Sequence, residues 1–153
     1  MILVIGIGNP ARGDDAAGLA VARCIREAAP GHVTVTELAG DQLALLDAWT
    51  GAREVYLIDA VCSGGTPGTV YRFDAAEPLT ARFWHRGTHT FSLADVIELG
   101  RALGRLPGRL TGYGIEGGTF EPGAPLSAEV EAAVGAVTAA LLRELRESSS
   151  RAG

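Results

Sequence analysis

Two adjacent carboxylates, Asp14 and Asp15, close the stretch GIGNPARGDD at residues 6–15, where a glycine turn leaves an apolar run. Another acid, Asp59, ends the apolar segment YLIDA, and the chain's three histidines are His32, His85 and His89. Lysine is absent and Asn9 is the only asparagine. That removes Schiff-base chemistry, Ser-Lys dyads and the Walker-type phosphate lysine. Asp15, Asp59 and His89 would supply two oxygens and one imidazole nitrogen with open positions around them. Such a set suits a borderline divalent ion such as Zn²⁺ or Ni²⁺, with water or substrate completing the shell.

Each of these residues also has a plainer reading. Asp14 is read as the N-cap of the helix that follows, because Asp is among the best N-cap residues. Asp15, one step further in, is freer to point away from the backbone. Asp59 is expensive to bury without a partner, and it is either a crevice acid or the cap of the turn VCSGG. His89 sits between Thr88 and Thr90 ahead of a helix, His85 in FWHRG is its rival, and His32 after Pro30-Gly31 reads as structural. Cys62 follows the Asp59 strand in a Gly-rich turn, a position for a nucleophile served by His85 or His89. Cys24 reads as a buried small hydrophobe on a helix. The two cysteines form no CxxC pair, so neither a zinc knuckle nor a dithiol motif is supported.

The elements that must position these groups alternate along the chain. ILVIGIG (2–8) is an apolar run suited to a strand buried on both faces. A helix follows from Asp14 or Asp15 to about Ala29, then a strand at 33–38, a helix at 41–50 and a buried strand at 54–61. A strand of different character is expected at 68–73. Ser92 caps a helix running to about Leu103, with Asp95 three residues on as an acidic capping-box partner. A strand at 109–116 precedes a helix opened by Ser127 and running to about Glu147. This alternation predicts one α/β domain over 1–147, an open, twisted, mainly parallel sheet with helices on both faces, and a frayed tail at 148–153. Strand order 2-1-3 would put Asp15 and Asp59 over one crevice at the carboxyl ends of the strands.

Composition narrows the function classes. The chain has 153 residues, 47% of them hydrophobic, with 21 glycines, which describes a packed domain with many tight turns. Thirteen basic against 18 acidic residues give a net charge of −5 with no basic run, a poor surface for nucleic acid. No apolar stretch approaches the ~20 residues of a membrane span, and the first residues lack the cationic front of a signal peptide. A cytoplasmic protein with neither nucleic acid nor membrane as partner is expected.

GIGNPARGDDAAG resembles the N-terminal motif of the hydrogenase maturation endopeptidases, Gly-x-Gly-Asn, four residues, then Asp followed by Asp or Glu. Here these are Gly6, Gly8, Asn9, Asp14 and Asp15. YLIDAV at Asp59, HTFSLADVIELG at His89 and GIEGGTFEPGAPLSAEVEAAV at 114–134 resemble three further segments of that family in the same order. The stretch AGDQ (39–42) departs from the family's Asp-Gly-Gly-Thr, and Asp41 receives no functional role. Ala16 stands where many relatives have glycine.

The resemblance implies a phosphorylase/hydrolase-like three-layer sandwich. It implies an enzyme that trims the C-terminal extension of a [NiFe]-hydrogenase large-subunit precursor once nickel is inserted. Asp15, Asp59 and His89 would grip a nickel that belongs to the substrate, with no cofactor held permanently and with Zn or Cd able to substitute in vitro.

Three rivals remain. GIGNPA fits the loose G-x-G-x-x-G/A fingerprint, and Glu37 could take ribose hydroxyls, but two ionised acids at the helix mouth would repel a pyrophosphate. GIGNP is similar to the start of peptidyl-tRNA hydrolases, yet no His-Asn dipeptide follows. The chain could also dock a metalloprotein without cleaving it.

Overall fold

The computed structural model describes residues 1–29, 31–75 and 93–152. Its elements are β1 (Ile2–Ile7), a 3-10 turn (Gly13–Ala16), α1 (Ala17–Ala28), β2 (Val33–Leu38), α2 (Gln42–Trp49), β3 (Glu54–Val61), β4 (Val70–Asp74), α3 (Leu93–Ala102), β5 (Arg109–Glu116) and α4 (Ala128–Ala152). The five strands lie in the order β2-β1-β3-β5-β4. The first four in that order are mutually parallel, and β4 runs antiparallel to β5.

β1 and β3 are buried along their whole length, as central strands between two helical layers must be. Ile2, Val4, Tyr56 and Ile58 pack with Val21 and Ile25 of α1 and with Val137 and Leu141 of α4. Leu3, Ile5 and Leu57, pointing the other way, pack with Leu46 and Trp49 of α2 and with Val96 and Ile97 of α3. The result is a three-layer α/β domain. No helix among the described residues is long and apolar enough to cross a membrane.

The strand at 68–73 does differ from the others: it is β4, an antiparallel edge. Residues 62–69 are fewer than the dozen or so that a parallel crossover needs, so the chain turns back beside β5 instead. Two expectations are corrected. Cys24 is exposed, because the buried stripe of α1 runs through Ala17, Gly18, Val21, Ala22 and Ile25 and leaves position 24 facing water. Nor does the last helix end near Glu147. It continues to Ala152, and the buried Ser148 hydroxyl donates to Glu54 at the start of β3. The expected cap at Ser92 lies outside the described residues. Asp41 caps α2, accepting from Leu43 N at 2.8 Å and Ala44 N at 3.2 Å.

What seats α1 on the sheet is Gly18. A Cβ there would stand 2.3 Å from the Ile58 carbonyl oxygen and 2.5 Å from that of Ile7. Only a hydrogen fits between the helix and the carboxyl ends of β1 and β3. Gly18→Ala is therefore expected to cost about 2–3 kcal/mol through overpacking against rigid backbone and to lower Tm by roughly 5–10 °C. Thermal unfolding followed by circular dichroism checks this, and an unchanged Tm would contradict the close approach.

Candidate active site

The topology reverses between β1 and β3: the chain leaves β1 toward β2 and returns on the far side to β3. Beyond the carboxyl ends of these two strands is the crevice where open α/β sheets hold ligands. The 3-10 turn carrying Asp14 and Asp15 follows β1, one helical turn before Gly18, while Asp59 is the residue after Ile58 on β3. Gly18 thus touches both strand ends and brings the two acids to one edge. Asp15 is 2% exposed and Asp59 is 6% exposed. An Asp59 oxygen accepts from Ala60 N at 2.8 Å. Both carboxylates are thus withdrawn from water at the carboxyl edge of the sheet.

Asp14 has a different task from the one expected. It is fully buried, yet it makes no side-chain bond to its own helix. Its carboxylate accepts from Gly118 N at 2.8 Å, Thr119 N at 3.0 Å, Ser127 N at 2.7 Å and Ser127 Oγ at 2.9 Å. Asp14 N in turn donates to the Thr119 carbonyl at 2.7 Å. The residue read as an N-cap for α1 is instead a clamp that ties the first turn to the loop leading into α4. Gly13 makes this possible, with φ +55° and room for no Cβ against the Thr119 oxygen. Burial raises the Asp14 pKa, but the donors from Ser127, Gly118 and Thr119 outweigh it and hold the carboxyl below its ordinary value.

His89 and His85 lie outside the described residues. Among the described residues, no three His, Cys, Asp or Glu side chains form a cluster able to hold a metal, so Asp15 and Asp59 are the part of the expected ligand set that the structure brings to one edge. His32 is exposed just before β2, at the opposite edge. Cys62 is half-buried where β3 ends. Glu37 is engaged by Arg23 at 3.1 Å and Arg26 at 2.9 Å. A cavity of about 420 Å³ lined by Asp74, Arg101, Leu106, Arg109 and Leu110 also opens at the amino end of β5, away from the acids.

Sequence reasoning missed one acid. Glu116, at the carboxyl end of β5, is 1% exposed. Its carboxylate accepts from Ser63 N at 2.9 Å and from the hydroxyls of Ser63 and Tyr71. The signal was available in GYGIE, an acid ending an apolar strand, the same feature that drew attention to Asp59 in YLIDA.

Comparison with known proteins agrees with this architecture. Residues 20–144 match the model of the HycI hydrogenase maturation protease family. The chain is 30% identical to the hydrogenase 2 maturation protease of Escherichia coli (strain K12), covering 99% of this chain and 94% of that protein. It is also 30% identical to the hydrogenase expression/formation protein HupD of Rhodobacter capsulatus, covering 95% and 71%. Among solved structures, the hydrogenase maturating endopeptidase HybD of E. coli superposes with a TM-score of 0.79 at 27% identity, covering 96% of this chain and 93% of that one. HybD of Thermococcus kodakarensis gives 0.74 at 28%, covering 94% and 98%. The chain belongs to the hydrogenase maturation protease family, and it is a protease of α/β fold.

The Asp14 clamp has a measurable consequence. Asp14→Ala leaves three part-buried amide donors without their acceptor and is expected to cost about 3 kcal/mol at neutral pH. Because the folded-state pKa lies below the carboxyl's ordinary value of 3.8, the clamp's contribution is fully present above that value. It fades as pH falls from there through the lower folded-state value. Urea unfolding of wild type and variant at pH 7 and near pH 3 should show a large gap that narrows in acid; a gap independent of pH would contradict an ionised clamp.

Proposed function

We propose that this protease removes the C-terminal extension of a [NiFe]-hydrogenase large-subunit precursor after nickel insertion, recognising the nickel through Asp15, Asp59 and His89. The observation that carries the reading is the convergence of two buried carboxylates, Asp15 and Asp59, at the strand ends where the topology reverses. Acids so placed call for a cation, and in this reading the cation arrives as part of the substrate. The imidazole of His89 adds a nitrogen to the two carboxylate oxygens, a mixed set suited to a borderline divalent ion.

In the precursor, the metal would polarise the scissile carbonyl or acidify a water, and Asp15 or Asp59 would take the proton. Nickel bound between the two would be the feature by which the loaded precursor is recognised. An empty precursor would offer nothing to hold against the crevice.

Asp15→Ala, Asp59→Ala and His89→Ala are each expected to slow processing of a nickel-loaded precursor at least a hundredfold, while a metal-free precursor stays uncut by wild type. Intact-mass measurement of the large subunit and of the released peptide follows the reaction. Full processing by all three variants overturns the assignment, and cleavage without nickel overturns the recognition role.

A further inference from the structure

Glu116 lies on the same face of the sheet as Asp59 and one strand away, since Asp59 pairs with Gly114 and Val61 with Glu116 in the parallel β3–β5 register. Two residues of rise and one strand spacing put their Cα atoms about 8 Å apart. A carboxylate withdrawn from water here needs donors, and all of those identified come from the segment that leaves β3 and the strand it leads to. Ser63 supplies its N–H and its hydroxyl, and Tyr71 supplies its phenol at 2.9 Å. The Glu116 main chain holds the other end of the same segment, accepting from Gly68 N at 2.8 Å and donating to the Thr69 carbonyl at 2.8 Å. One residue thereby pins both ends of loop 62–69.

The loop's middle, Gly64 to Pro67, is exposed at the carboxyl edge. It does not stand alone. A Cβ on Gly118 would be 2.9 Å from Pro67 Cγ, so the loop abuts the segment that Asp14 clamps. Buried Asp14 and buried Glu116 each hold one loop, and the two loops meet beside the strand ends that carry Asp15 and Asp59.

We propose that Glu116 is a positioning residue for precursor binding: it fixes loop 62–69 as a wall of the crevice against which the precursor's polypeptide rests. This inference rests on the proposed reading that the metal arrives inside a protein substrate. If it does, surfaces within a few ångströms of Asp59 must meet the polypeptide that carries the metal. A loop that begins three residues after Asp59 cannot avoid that contact. A freed loop would then weaken binding of the precursor without removing the carboxylates that take the metal.

Glu116→Gln is the informative variant. Its amide oxygen still accepts from Ser63 N, and the Ser63 and Tyr71 hydroxyls can turn to accept from its NH₂ group. Glu116→Ala removes both side-chain acceptors and keeps the main-chain carbonyl that holds Gly68 N.

The test measures kcat and KM with nickel-loaded precursor, Cd²⁺ affinity by calorimetry, and hydrogen exchange at the Ser63 and Gly68 amides. Glu116→Ala is expected to speed exchange at the Ser63 amide more than at the Gly68 amide, which the main-chain carbonyl still holds, raise KM about tenfold, and change kcat and Cd²⁺ affinity by less than threefold. Glu116→Gln should return KM to within about twofold of wild type. Should Glu116→Ala fold poorly, the double variant Ser63→Ala, Tyr71→Phe loosens the same loop and should raise KM about threefold. Faster exchange with unchanged KM overturns the inference, as does a loss of kcat and Cd²⁺ affinity that Glu116→Gln fails to restore. Absence of cleavage by wild type overturns the underlying reading instead.

Discussion

Burying an ionised carboxylate demands donors, and the carboxyl edge of this sheet is organised around that demand. Asp14 draws four hydrogen bonds from Gly118, Thr119 and Ser127. That one anion joins the first turn of the chain to the loop before its last helix. The bond is more than a local cap, because the turn it anchors is the one that presents Asp15. Each N–H aimed at Asp14 also stabilises its negative charge, so the clamp remains ionised beside a second buried acid.

Helix α1 supplies the complementary constraint. With only a hydrogen on Gly18 facing the Ile7 and Ile58 carbonyls, the helix start is held against two strand ends simultaneously. The position of Asp15 relative to Asp59 is thus set by backbone contact, the least deformable kind of packing. Among the four acids buried at this edge, Asp14 and Glu116 spend their lone pairs on loop donors. Asp15 and Asp59 are buried at the adjoining strand ends, where an Asp59 oxygen accepts from Ala60 N.

Family membership and geometry reinforce one another here. Solved relatives superpose over nearly the whole chain, which fixes the kind of enzyme. The buried acids Asp15 and Asp59 lie at the switch between β1 and β3 in that architecture. The edge strands carry less of this burden. On β2, Glu37 is tied to Arg23 and Arg26 by exposed ion pairs, which contribute little to stability, and β4 closes the other edge antiparallel.

Patterns with a short period were legible in the amino-acid order. ILVIGI and the run VYLI within EVYLIDAV read as buried strands because both of their faces are covered, and the strand order placed Asp15 and Asp59 at one edge of the sheet. Glycine spacing and the acidic pair pointed to the family. What the order could not show is which distant loop an acid would meet. Asp14 finds Gly118 N across 104 positions, Glu116 finds Ser63 across 53, and Ser148 extends the last helix by reaching Glu54. Cys24 differs from its buried neighbours only by one step of helical rotation, which periodicity resolves poorly. Local sequence determined the strands, the helices and the candidate acids, since these follow from side-chain period and backbone preference. Tertiary structure alone decided which acids became structural, because that depends on which loop amides converge on each carboxylate once the layers have packed.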